Sequence, residues 1–82
     1  MRSELIDVHQ GSAWESWLVV YEDGRIQFHQ ENDGARFLRC GAEAVDEWIT
    51  LADVEVLGRQ HPGKRLVEQV TEIQTAFAMN RS

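Results

Sequence analysis

The sequence contains little cysteine or proline and no long apolar run. Cys40 is the only cysteine and Pro62 the only proline among the 82 residues. A lone cysteine excludes an intrachain disulfide and a zinc site built from several thiolates. The longest apolar run, residues 17–21, is far shorter than the roughly 20 residues that a membrane-spanning helix needs. We therefore expect neither a disulfide framework nor a membrane partner.

The N-terminal segment has no continuous apolar stretch of the kind that secretion signals carry. We therefore expect the protein in the cytoplasm, a setting that a single cysteine also suits. A chain of this length is expected to fold as one domain spanning residues 1–82.

Basic residues are outnumbered by acidic ones. The chain has 8 Lys and Arg against 14 Asp and Glu, which gives a formal net charge of −6. Proteins bind nucleic-acid phosphates through clustered Lys and Arg, so direct nucleic-acid binding is not expected. An acidic chain suits a freely soluble protein or one that meets a basic partner.

One short segment departs from this acidic character, because Arg59, His61, Lys64 and Arg65 lie close together in the chain. The Gly-Lys step within it is shared with phosphate-binding loops. The Walker A pattern also needs a second glycine at fixed spacing and a preceding strand, and the segment has neither. The cluster is therefore either a solvated loop or an anion contact.

Catalytic and metal-binding motifs are lacking. His9, His29 and His61 do not follow the spacing of histidine metal sites, and the chain has no Gly-x-Ser-x-Gly elbow. Cys40 is predicted to point into the core, where a cysteine behaves as a small hydrophobic side chain. We expect no enzymatic activity, no metal and no cofactor.

Two Asp-Gly steps indicate β-hairpins. If Asp23-Gly24 forms a two-residue loop, Tyr21 pairs with Ile26. The core face of this hairpin then consists of Trp17, Val19, Tyr21, Ile26 and Phe28. A three-residue loop at 32–34 keeps the core apolar in the second hairpin. The predicted antiparallel strands span residues 16–22, 25–31 and 35–40, and residues 3–9 are a candidate fourth strand.

The apolar spacing changes after the predicted strands. A first helix is predicted over residues 42–53, because its apolar residues recur at helical spacing; they are Val45, Trp48, Ile49 and Ala52. Residues 54–58 fit either the end of this helix or a short strand. A second amphipathic helix is predicted over residues 63–79. The fold class is therefore α+β, a three- to four-stranded antiparallel sheet with two helices packed on one face.

Two surfaces are candidates for partner binding. The first predicted helix carries an acidic stripe that is either solvated or docks on a basic surface; its residues are Glu43, Asp46, Glu47, Asp53 and Glu55. The sheet face opposite the predicted core places apolar side chains among polar ones, and it is either covered by the N-terminal segment or forms an interface; its residues are Leu18, Val20, Gln27, His29, Phe37 and Arg39.

Three stretches together resemble a known family. They are a strand ending in "VVYEDG" (19–24), an acidic Trp-bearing helix with "VDEWI" (45–49) and a C-terminal amphipathic helix with "RLVEQVTEI" (65–73). Elements of this kind follow the same order in small phage anti-CRISPR inhibitors of type I-F surveillance complexes. The resemblance implies a non-enzymatic protein that binds a CRISPR-associated subunit and blocks DNA access. It implies contact roles for Tyr21, Glu22 and Glu31, which lie in or near the matching turns. A short second hairpin and the "VEVLGRQHPGK" insertion depart from the family pattern.

Antitoxins of the HicB type begin with a similar hairpin and a following helix. They usually carry a Pro-Asp-x-Pro-Gly stretch between strand and helix, and "ENDGARFLRCG" lacks it.

The sequence thus predicts an acidic binding protein that inhibits or regulates a larger protein or nucleoprotein complex. The alternatives are a HicB-like antitoxin and a homo-oligomeric structural protein, such as a homodimer that pairs its sheets and buries Leu18, Val20 and Phe37. The predicted partner-binding residues are Tyr21, Glu22, Glu31, Phe37, Arg39, Glu43, Asp46 and Glu47.

Overall fold

The computed structural model describes residues 1–11, 14–32 and 44–80. This part of the chain forms four strands followed by two helices: β1 (Ser3–Gln10), β2 (Trp14–Tyr21), β3 (Ile26–Asn32), β4 (Ala44–Ile49), α1 (Leu51–Gln60) and α2 (Leu66–Met79). The strands make one antiparallel sheet in the order β1-β2-β3-β4. The predicted α+β class is confirmed, and the candidate fourth strand is β1.

Both helices contribute to a core on one face of the sheet. α2 contacts β1, β2 and α1. Leu18 and Val20 from β2, Val54 from α1 and Val70 from α2 have no exposed surface. The remaining buried members of this core cluster are Ile6, Val8, Ile26 and Leu66. The opposite side of the sheet, called the outer face below, has neither described helix packed on it.

The register of the β2–β3 hairpin differs by one residue from the predicted one. Val20 pairs with Ile26, so the loop has three residues, 22–24. The Tyr21 N–H donates to the Arg25 carbonyl at 2.9 Å, and the Gly24 N–H donates to the Tyr21 carbonyl at 2.9 Å. Gly24 has φ +95°, a conformation that glycine adopts without strain.

This shift exchanges the two faces of β2, because side chains alternate along a strand. The prediction that Trp17, Val19 and Tyr21 face the core is therefore wrong. Leu18 and Val20, which were predicted on the outer face, are instead fully buried. The prediction for His29 and Gln27 holds, since both lie on the face opposite the core, beside Trp17 and Val19.

The predicted helix over residues 42–53 is also wrong. Residues 44–49 pair with β3 as a strand, with Ile49 opposite Ile26. The helix begins only after Thr50, whose hydroxyl accepts the Asp53 N–H while the Asp53 carboxylate accepts the Thr50 N–H at 2.9 Å. This capping box fixes the start of α1. Residues 54–58 belong to α1, which runs to Gln60.

The second helix starts three residues later than predicted. Pro62–Lys64 form a single 3-10 turn, and Arg65 adopts a left-handed φ of 53° before α2 begins.

The predicted strand 35–40, the loop glycine Gly34 and Cys40 lie outside the described residues. Within the described ranges, neither helix has the length and apolar character to cross a membrane.

The two faces of the sheet can be tested with a matched pair of leucines. Leu18→Ala is expected to lower the free energy of unfolding by about 2–5 kcal/mol, because it leaves a cavity in the core. Leu5→Ala is expected to change it by less than about 0.5 kcal/mol, since Leu5 is 56% exposed on the outer face. Urea denaturation measures both. Equal losses in the two variants would contradict the observed register.

Candidate functional site

The outer face has an apolar end beside the β2–β3 turn. Leu5, Val19, Tyr21 and Trp48 come from three strands and share this side of the sheet, and we call them the apolar end. Trp48 is 55% exposed, and Leu5 is exposed to a similar degree. Large apolar side chains grouped in this way on a protein surface mark an interaction site more often than isolated ones do.

Contacts among its aromatic rings orient the apolar end. The Tyr21 and Trp48 ring centroids lie 5.6 Å apart, and the Tyr21 hydroxyl donates to Gln27 Oε1 at 3.1 Å. The Arg25 guanidinium carbon lies 4.4 Å from the Trp48 centroid, while its Nε donates to Asp23 Oδ2 at 2.7 Å. These contacts hold both rings in place while leaving much of the Trp48 surface exposed.

The other end of the outer face is acidic. Cross-strand pairing places four carboxylates around one histidine, and we call these residues the acidic end: Asp7, Glu15, His29, Glu31 and Asp46. Glu15 lies directly opposite Glu31, an arrangement in which like charges repel.

His29 lies at the centre of the acidic end. Its ring stacks on Trp17 with centroids 4.2 Å apart. Its Nδ1 is hydrogen-bonded to Asp46, and its Nε2 lies 3.2 Å from Glu31 Oε1. The hydrogen bond with Asp46, followed by that with Glu31, raises the pKa of His29, although partial burial opposes the shift. When it is protonated, the imidazolium of His29 connects β3 to β4 through Asp46.

This arrangement is better suited to charge presentation than to proton transfer. Both nitrogens of His29 are engaged by carboxylates, so neither is available to act as a general base toward a ligand. In the described residues no three His, Cys, Asp or Glu side chains are grouped as a metal site. What the site offers a partner is negative charge next to exposed aromatic surface.

The structure places three of the predicted partner-binding residues on the outer face. Tyr21 lies in the apolar end, and Glu31 and Asp46 lie in the acidic end. Glu22 lies in the hairpin turn, where its carboxylate accepts from Arg2 Nε at 3.2 Å. Hydrogen bonds from the Arg2 backbone N–H and side chain lower the pKa of Glu22.

The predicted acidic stripe does not exist as one helical surface. Asp46 and Glu47 are neighbours in a strand, so they point to opposite sides of the sheet. Glu47 lies across from Phe28, on the helix side, near Asp53. Glu43 lies outside the described residues, and so do Phe37 and Arg39.

Four residues of the outer face were not predicted to belong to a functional surface: Trp17, Val19, Leu5 and Trp48. The first two were predicted in the core, and Trp48 on a helix. A three-residue loop at 22–24, like the one predicted at 32–34 for the second hairpin, would have placed Trp17 and Val19 on the correct face. Because both faces of β2 are largely apolar, the strand alone does not decide between the two registers.

Comparisons of the chain with protein-family models, with curated proteins and with solved structures find no match. The outer face and its charges therefore supply the basis for a functional proposal.

The His29 bridge predicts a pH-dependent stability. The pKa of His29 is raised in the folded state. Its contribution to the free energy of unfolding is therefore fully present below the pKa of the unfolded state, about 6.5, and is lost as the pH rises through the pKa of the folded state. The stability gap between wild type and His29→Gln should therefore be larger at about pH 6 than at about pH 9. Urea denaturation at both pH values measures this gap.

A second measurement separates the bridge from other titrating groups. In an NMR titration of the His29 imidazole, Asp46→Asn should bring the pKa back toward its ordinary value. Asp7→Asn is the matched control, because Asp7 shares the outer face but makes no hydrogen bond to His29 among the described residues. Equal pKa values in Asp46→Asn and the wild type would contradict the bridge.

Proposed function

We propose that this protein is a non-enzymatic binding protein that uses its outer face to inhibit or regulate a larger protein or nucleoprotein complex. The observation that carries the proposal is the exposed apolar end, which neither described helix covers. Trp48 and Leu5 are each more than half exposed there. Tyrosine, tryptophan and arginine side chains are the usual anchors of protein interfaces, and Tyr21, Trp48 and Arg25 are in contact with one another.

The negative charge of the outer face favours a partner with a basic surface. The acidic end adds four carboxylates to the same face of a chain whose net charge is −6. A basic partner would relieve the repulsion between Glu15 and Glu31. Electrostatic complementarity of this kind speeds association and excludes partners of like charge.

The sequence resemblance makes an anti-CRISPR inhibitor of a type I-F surveillance complex, acting in the cytoplasm, the specific form of this proposal. Two of its three matching stretches support it, because residues 45–49 form a strand and not the helix that the resemblance implies. Two residues to which the resemblance assigns contact roles, Tyr21 and Glu31, share the outer face, and Glu22 lies in the adjoining turn. A partner subunit with a basic DNA-binding groove has the surface charge that this face would complement. Binding there would block access of DNA to the complex.

A homodimer is the second candidate, and the same exposed apolar end favours it. Two copies could bury Leu5 and Trp48 against each other by packing their outer faces. Against this arrangement, the acidic ends would also meet, and their like charges would repel.

Binding to a purified type I-F surveillance complex tests the proposal. We expect the wild-type protein to bind and to prevent binding of target DNA. Tyr21→Ala and Glu31→Arg are each expected to weaken binding about 30-fold, the loss seen at interface hot spots. Glu72→Arg makes the same charge change as Glu31→Arg, at an exposed position on α2, and should bind like the wild type.

The outcomes separate the candidates. Equal binding of Glu31→Arg and Glu72→Arg would exclude the outer face as the contact surface. Absence of any binding, together with a solution mass of two chains that Trp48→Glu reduces to one, would replace the inhibitor with the homodimer. Binding that does not weaken as salt rises would contradict the electrostatic part of the proposal.

A further inference from the structure

A second surface lies on the helix side of the sheet, away from the outer face. A pocket of about 410 Å³ opens there between the end of β1 and the 3-10 turn that joins the two helices. His9 and Gln10 line it from the strand, and His61, Gly63 and Lys64 line it from the turn. We call this the turn pocket. All four residues of the basic cluster noted in the sequence lie in or beside this turn, and Arg65 is ion-paired with Glu68.

An irregularity in β1 directs His9 into the turn pocket. Asp7 pairs with Trp17, but His9 pairs with Ser16, so the register shifts between Asp7 and His9. In a regular strand His9 would share the outer face with Asp7. The bulge instead leaves it on the helix side, next to the buried Val8. Bulges that redirect a side chain in this way are common beside binding sites.

The position of His9 is further fixed by its neighbours. Its ring stacks on Trp14 with centroids 3.7 Å apart and planes 15° apart, and its centroid lies 6.1 Å from that of His61. A Cβ atom at Gly11 would lie 2.7 Å from His9 Nε2, so glycine leaves the room that this ring occupies. The two imidazoles are therefore neighbours that line the turn pocket, one from the strand and one from the turn.

The chemistry of the turn pocket suits an anion. Its lining residues include His9, His61 and Lys64, and none of them is Asp or Glu. Among the described residues, no Asp or Glu forms an ion pair with His61 or Lys64. A metal ion is disfavoured, because the Lys64 ammonium would repel it and the two imidazoles have no third ligand in the described residues.

We propose that the turn pocket binds a small molecule that carries a phosphate group. The phosphate oxygens accept from Lys64 and His61, and His9 lies at its edge. The volume of about 410 Å³ falls within the usual range of small-molecule sites, so the turn pocket has room for a ligand with further atoms beyond the phosphate. Nucleic acid is a poorer fit, because it requires several phosphate contacts and the chain is strongly acidic.

NMR titration of the full chain tests this proposal. The probe is phenyl phosphate added at constant ionic strength, with amide shifts followed to about 50 mM, well above a millimolar dissociation constant. Saturable shifts are expected at His9, His61 and Lys64. Lys64→Gln should weaken binding about tenfold, as expected for loss of one charge-assisted hydrogen bond. Arg59→Gln removes the same charge just outside the turn pocket and should bind within about twofold of the wild type.

Any one of the following outcomes would overturn the proposal. Shifts that never saturate, or that weaken equally in Lys64→Gln and Arg59→Gln, would show only general attraction of an anion to basic side chains. Tighter binding of a single-stranded oligonucleotide than of phenyl phosphate would indicate a nucleic-acid contact instead. Thermal unfolding of both variants checks that they fold, and His61→Gln provides an independent variant if Lys64→Gln does not. Because the outer face is not involved, failure here would leave the proposed function unaffected.

Discussion

The three-residue turn at 22–24 is the constraint on which the arrangement of the sheet depends. Its closure needs a residue with positive φ, and Gly24 supplies it at +95°. With this loop length Val20 pairs with Ile26, and a loop shorter by one residue would exchange the faces of β2. The turn therefore decides that Leu18 and Val20 form the core, and that Trp17, Val19 and Tyr21 form the outer face.

The position of β4 depends on its pairing with β3. β4 is the last strand of the sheet in the described residues, and it pairs only with β3 there. Besides its backbone hydrogen bonds, the His29–Asp46 contact and the Ile26–Ile49 pair connect it to β3 on opposite faces. Thr50 then ends the strand and starts α1 without an intervening loop. Thr50 alone therefore separates the strand that carries Asp46 and Trp48 from a helix that packs on the core.

The sequence predicts the fold class correctly, but it predicts the functional face only in part. Alternation in β3 correctly separates Ile26 from Gln27 and His29, because polar and apolar residues alternate clearly there. β2 has no such contrast, so its orientation depends on a turn whose length sequence alone does not decide. Residues 45–49 misled the helix prediction because positions i and i+4 share a face in both a helix and a strand. Pairing with β3, a long-range interaction, is what makes this segment a strand.

The three tryptophans lie at three different places on the surface and none is fully buried. Trp14 stacks on His9 at the turn pocket, Trp17 stacks on His29 at the acidic end, and Trp48 lies beneath Arg25 at the apolar end. Indole emission responds to the polarity and charge of its surroundings. Variants that each keep a single tryptophan would therefore give three optical reporters, one for each surface, in a chain whose core contains no indole to obscure their signal.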